Sequence, residues 1–132
     1  MTARASGTFK VGSWDEKPVL TLDGGGKLTR ATIGGSYSGD LEGESISENV
    51  MWYRADGTAT YVGIERIEAR IGGRAGSFVW SNNGTYEGGV ARSTLSIVPG
   101  SGTGELAGLS GEGRFEATHG PEGKFDLEYW FD

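Results

Sequence analysis

Apolar and polar residues alternate with a period of two along most of this chain, the pattern of strands that bury one face. The clearest run is Lys124–Phe131, where Phe125, Leu127, Tyr129 and Phe131 alternate strictly with Lys124, Asp126, Glu128 and Trp130. The same reading predicts strands over Gly7–Trp14, Ile46–Arg54, Thr58–Ile71, Arg74–Glu87, Val90–Val98 and Glu112–Thr118. Leu28–Glu44 reads as one long or bent strand, with Gly34, Gly35, Gly39 and Gly43 as bulges. No segment carries a 3.6-residue period of useful length. About eight strands joined by short turns imply antiparallel pairing. In one small domain they favour closure into a barrel over a flat sheet with exposed edges. The expected fold is all-β, a single eight-stranded antiparallel barrel over residues 1–132, with a sandwich as the runner-up.

Two Gly-Gly turns, Gly72-Gly73 and Gly88-Gly89, fix the register of three strands, because two-residue hairpin loops need positive φ. With Ile71 opposite Arg74, counting back pairs Ile67 with Phe78, Glu65 with Trp80 and Gly63 with Asn82. With Glu87 opposite Val90, Trp80 meets Ile97 and Asn82 meets Leu95. Cross-strand partners share a face. The apolar face therefore holds Ile67, Ala69, Ile71, Phe78, Leu95 and Ile97, and also Glu65 and Trp80. The turn Arg54–Thr58 extends the count, placing Tyr53 opposite Ala59, Met51 opposite Tyr61, Asn49 opposite Gly63 and Ser47 opposite Glu65.

A candidate ligand site follows from these rows. Gly63 and Gly84 remove side chains from the crowded lumen and are expected to leave space. Asn49, Asn82, Tyr61 and Glu65 surround that space, and a few polar groups converging in an apolar concavity describe a binding site. Glu65 is the candidate catalytic residue. Burial is expected to raise its pKa above the ordinary value of ~4.3, as suits a general acid or base. The structural alternative is that Glu65 pairs with an arginine or is turned outward by a bulge. Trp80 and Tyr61 are expected to form walls, Asn49 and Asn82 to orient polar substituents, and Met51 and Tyr53 to complete the substrate-binding set.

Composition narrows the partners. The net charge is −6 and the basic residues are scattered, which disfavours nucleic acid and anionic membranes. There is no cysteine, so disulfides and thiolate chemistry are excluded. No apolar run approaches a membrane span, and the first residues lack the core of a signal peptide, so a cytoplasmic protein is expected. The 25 glycines follow no Gly-X-Y period; inside strands they mark bulges, bends and close approaches.

His119, the one imidazole, reads as a rim acid/base or, better, as a turn residue in His119-Gly120-Pro121. Asp40, Glu42 and Glu44 could present oxygens to calcium, but fit a solvated outer face better. Gly102-x-Gly104-x-x-Ala107 lacks the strand–turn–helix setting of a dinucleotide site, and Gly24-Gly25-Gly26-Lys27 fails the P-loop pattern. Val50, Trp52, Val62 and Ile64 fall on the face opposite Glu65. They predict a subunit interface, a dimer being commonest, or else coverage by an Asp15–Lys27 loop.

The stretch Gly100–Gly113, with Gly102-Thr103-Gly104, Leu106-Ala107-Gly108 and Gly111-Glu112-Gly113, is similar to the segment before the last strands of allene oxide cyclase-like barrels, dirigent proteins included. With Ser13-Trp14-Asp15-Glu16, Lys27–Ala31, Gly39–Gly43, Gly63–Arg66 and His119-Gly120, the chain resembles the bacterial domain-of-unknown-function 3224 family, placed with those barrels. The resemblance implies an eight-stranded barrel with an internal pocket and no cofactor. It suggests a cyclase or isomerase acting on a small apolar or aromatic molecule. The alternatives are a lipocalin-like binding module and a structural barrel with a filled lumen.

Overall fold

The computed structural model describes residues 2–118 and 122–132. Eight strands run β1 (Ala3–Thr21), β2 (Lys27–Gly39), β3 (Leu41–Tyr53), β4 (Ala59–Ile71), β5 (Arg74–Glu87), β6 (Val90–Ile97), β7 (Leu109–Ala117) and β8 (Glu122–Phe131). Each pairs antiparallel with the next and β8 returns to β1, giving a closed barrel. One 3₁₀ turn, Gly104–Leu106, is the sole helical element among the described residues. His119, weighed as a rim residue, lies outside the described residues.

The hairpins are set by local chemistry. Gly72 and Gly73 adopt φ of +57° and +80°, and Gly88 and Gly89 +58° and +77°, the two positive values that match a hairpin turn to strand twist. Glu65 consequently pairs with Trp80, and Trp80 with Ile97, as counted from the sequence. At the third turn the Arg54 N–H donates to the Thr58 carbonyl (2.8 Å) and the Thr58 N–H to Asp56 Oδ1 (2.9 Å). No bulge intervenes, and Ser47 faces Glu65, Asn49 faces Gly63 and Met51 faces Tyr61.

Strands β1 and β7 begin earlier than expected, at Ala3 and Leu109, and two further boundaries differ more. Leu28–Glu44 is not one bent strand; the chain turns at Gly39-Asp40, where Gly39 has φ +112°. Asp40 seals the turn to β1, its N–H donating to the Ser6 carbonyl (2.9 Å) and its Oδ2 accepting from the Ser6 N–H (3.0 Å). Glu42 and Glu44 are exposed on the outer face. Strand β1 also runs past Trp14 to Thr21, through register shifts at Val11/Ser13 and Pro18/Leu20. Its pairing with β8 stops at Lys10, so Ser13–Thr21 is held by β2 alone, and Pro18 is tolerated on that free edge. The Asp15–Lys27 segment is thus mostly strand, and of the outer apolar face it covers only Trp52, whose ring lies against Gly26. Val50, Val62 and Ile64 stay 45%, 49% and 52% exposed there, with Trp52 half-buried beside them.

The lumen divides into two halves. Near the Gly72-Gly73 turn it is solid: Ile67, Ile71, Phe78, Leu106, Leu109 and Leu127 are almost wholly buried in one cluster. Leu106 comes from the 3₁₀ turn, which plugs this end. The segment before it is stitched to β5 by Thr103 N–H to the Ser77 carbonyl (2.8 Å) and Val79 N–H to Ser101 Oγ (3.0 Å). A side chain at Gly76 would collide with the Thr103 carbonyl, so glycine there lets the plug seat. Full burial of each large apolar side chain contributes roughly 1.5–3 kcal/mol. The other half, toward the Arg54–Thr58 and Gly88-Gly89 turns, holds only the small cluster Ala31, Ile33 and Met51, and is hollow.

Candidate functional site

The hollow half is a cavity of about 330 Å³, within the ~300–1,000 Å³ range of small-molecule sites. Its lining includes six of the seven residues expected to form the site: Glu65, Tyr61, Asn49, Asn82, Tyr53 and Met51. The register places them, because inward positions of β3, β4 and β5 recur every second residue.

Glu65 lies on the cavity floor, 5% exposed. Tyr37 O–H donates to its Oε2 (2.7 Å) and Trp80 Nε1–H to its Oε1 (2.7 Å). None of the ion pairs among the described residues includes it, so the arginine partner weighed from the sequence is not there; Arg66 points outward to Glu68 (2.8 Å). Nor does a bulge turn it outward. Burial, and then the charge and hydrogen bond of Glu65, push the Tyr37 phenol well above its usual 10.0, which keeps Tyr37 protonated and donating.

Trp80 does not form a wall. It is 0% exposed, packs edge-on against Tyr37 and Phe78, and does not border the cavity; its part is to hold the carboxylate. The two glycines also act differently from expectation. The Asn49 amide lies over Gly63 and the Tyr61 ring over Gly84, so the vacated room is taken by neighbours. Asn49 Nδ2 donates to Ser47 Oγ (2.9 Å) and, at 3.5 Å, to the Ala31 carbonyl, so its donors are spent on the wall. Tyr61 O–H shares a hydrogen bond with Ser93 Oγ (2.6 Å). Asn82 Oδ1 is buried and has no partner.

Sequence reasoning missed Tyr37, Phe9, Phe115, Trp14 and Glu16. Phe9 and Tyr37 stack at 4.7 Å, and Phe115 meets Phe9 edge-on at 6.1 Å, forming an aromatic wall. Glu16 organises the mouth. It accepts from Trp14 Nε1–H (2.9 Å), Thr29 Oγ1–H (2.6 Å) and Tyr53 O–H (2.8 Å). Burial opposes ionisation of Glu16, but these three bonds and the charge of Lys27 outweigh it and hold the carboxyl below 4.5. Burial, followed by the bond to Glu16, pushes Tyr53 up to about 12. Tyr86 and Glu122 complete the rim. The signal for Trp14 and Glu16 lay in Ser13-Trp14-Asp15-Glu16, and for Tyr37 in the Gly39-Asp40 turn, a two-residue hairpin signature.

Fold and site together define an antiparallel β-barrel with one plugged end and one internal cavity. The chain belongs to the family of proteins of unknown function DUF3224, whose model matches residues 5–129. A protein of unknown function from the same family in Shewanella oneidensis MR-1, known from its crystal structure, is 29% identical. The match covers 100% of this chain and 99% of that one, with a TM-score of 0.81. No curated protein matches the chain. No helix among the described residues is long and apolar enough to cross a membrane.

Proposed function

We propose that this barrel binds a small apolar or aromatic molecule in its hollow half and acts on it as a cofactor-free isomerase or cyclase. The observation that carries the reading is Glu65: a carboxylate held by two neutral donors, without a cation, on the floor of an apolar cavity. A carboxylate has about four lone-pair sites and these bonds use two. The remaining oxygen capacity can take a proton from one atom of a bound substrate and return it at another, an exchange that needs no cofactor. The neutral Tyr37 hydroxyl donates its one proton to Glu65 Oε2 and so fixes the carboxylate in place beside a bound substrate. The likeness of Gly100–Gly113 to allene oxide cyclase-like barrels supports this class of chemistry. The lack of cysteine accords with work in the cytoplasm.

A non-catalytic binding module is the second reading, favoured by the spent hydrogen bonds of Asn49 and Tyr61, which stiffen the walls without reaching inward. The outer patch of Val50, Val62 and Ile64 supports a homodimer through that face.

A crystal grown with the neutral aromatic probe N-phenylnaphthylamine tests the binding step. Density against Met51, Leu95 and Phe115 is the expected result; a probe found only on the outer face contradicts it. Glu65→Gln then separates the two readings once a substrate is found, since it should abolish turnover while leaving neutral-probe binding within about twofold.

A further inference from the structure

Resting on the reading of the hollow half as a ligand site, we infer that its ligand is an organic ammonium: a primary or secondary amine, protonated, on an aromatic or apolar body. The charged residues lining the cavity, Glu65 and Glu122, are all acidic. Glu65 brings a negative charge and unused lone pairs to the floor. Asn82 Oδ1 is buried and accepts from nothing. Glu122 stands at the mouth, and among the described residues no lysine or arginine lines the cavity. Of the donors that could complement an anion, those nearest the carboxylate are committed: Asn49 Nδ2 to β2 and Ser47, Tyr37 O–H and Trp80 N–H to Glu65.

The two free acceptors are neighbours. Glu65 pairs with Trp80 and Gly63 with Asn82, so Glu65 and Asn82 stand diagonally on β4 and β5, one inward step apart. Such diagonal side chains are within reach of one bridging group. An ammonium seated there would donate to both and give the buried carboxylate the opposite charge it lacks. An unpaired buried acceptor is costly, whereas a donor supplied by the ligand removes that cost. The walls suit the rest of the molecule. Phe9, Tyr37, Tyr53, Tyr61 and Phe115 surround the space, and aromatic faces attract cations as well as apolar bodies. The net charge of −6 draws cations toward the mouth.

Calorimetric titration with three probes of one shape tests this: phenethylamine, phenethyl alcohol and hydrocinnamate, which carry a cation, a neutral hydroxyl and an anion on the same ring and spacer. The amine should bind at least about tenfold more tightly than the alcohol, and the anion should not bind measurably. Glu65→Gln should erase the preference of amine over alcohol, and Asn82→Leu should reduce it several-fold. The wild-type series decides even where a variant fails to fold. If the alcohol binds as tightly as the amine, or if folded Glu65→Gln keeps the full preference, the ammonium assignment is wrong while the ligand site stands. If none of the three binds at millimolar concentration, both fall.

Discussion

Strand β4 gives Ile67, Ala69 and Ile71 to one half of the barrel and Tyr61, Gly63 and Glu65 to the other. The backbone is regular throughout, and the inward positions alternate in the same way. What differs is the side chains. The plugged half is apolar and packed, with Phe78, Leu106 and Leu109 filling the axis. The hollow half interleaves glycine, amides, hydroxyls and one carboxylate, and its aromatic rings lie against the walls. The plugged half gives the fold its stability, so the hollow half can carry an unpartnered acceptor and a cation-free carboxylate. A domain of this size cannot hollow out both ends, because its net stability is only about 5–15 kcal/mol.

Truncation should expose that contrast. Phe78→Ala in the plugged half should cost about 3–5 kcal/mol in denaturant unfolding. Met51→Ala, on the cavity wall, should cost no more than about 2 kcal/mol, since Met51 already borders the cavity. Equal losses would mean that the two halves are packed alike.

Tyr37 joins the halves, and pH can isolate it. Tyr37→Phe removes one donor from Glu65 and should cost about 1–3 kcal/mol at neutral pH. The folded pKa of Tyr37 lies well above 10.0, so above that pH the unfolded chain loses a proton that the folded chain keeps. Wild-type stability should therefore be fully present below pH 10 and fall as pH rises further. Tyr53, pushed up to about 12, adds to the same decline. Tyr37→Phe should decline less steeply, narrowing its deficit. Parallel slopes in urea unfolding from neutral pH to above pH 10 would remove Tyr37 from this account.

The outer patch yields a third prediction, with little effect on folding. Trp52→Glu should convert a dimer to monomers by light scattering. A wild-type monomer at high concentration would leave Val50, Val62 and Ile64 without the proposed partner.

These contrasts were only partly readable in advance. Registers of β3 to β6 could be counted because Gly-Gly and Asp-Gly turns announce themselves, and a single count placed Glu65, Asn82, Asn49 and Met51 on the lumen. Tyr37 escaped because Gly39-Asp40 follows Gly34-Gly35 and precedes Gly43, and glycines spaced along one strand-like run read as bulges as readily as a turn. Glu16 escaped because register shifts in β1 break the count that would have paired it with Ala31, a buried position of β2. The direction of Trp80 could not be read at all. Register gives a face, but whether a ring borders a cavity or lies behind a neighbour depends on packing around the whole barrel.

The central claim is that the hollow half, and no other surface, takes the ligand. Ala91 lies inward at the mouth on β6, and Ala91→Trp should fill the entrance while the plugged half keeps the fold. Fluorescence titration with N-phenylnaphthylamine compares the two proteins directly. Wild type should show one saturable site and Ala91→Trp, folded by circular dichroism, none. Equal binding by both proteins, or no binding by wild type, would contradict the account.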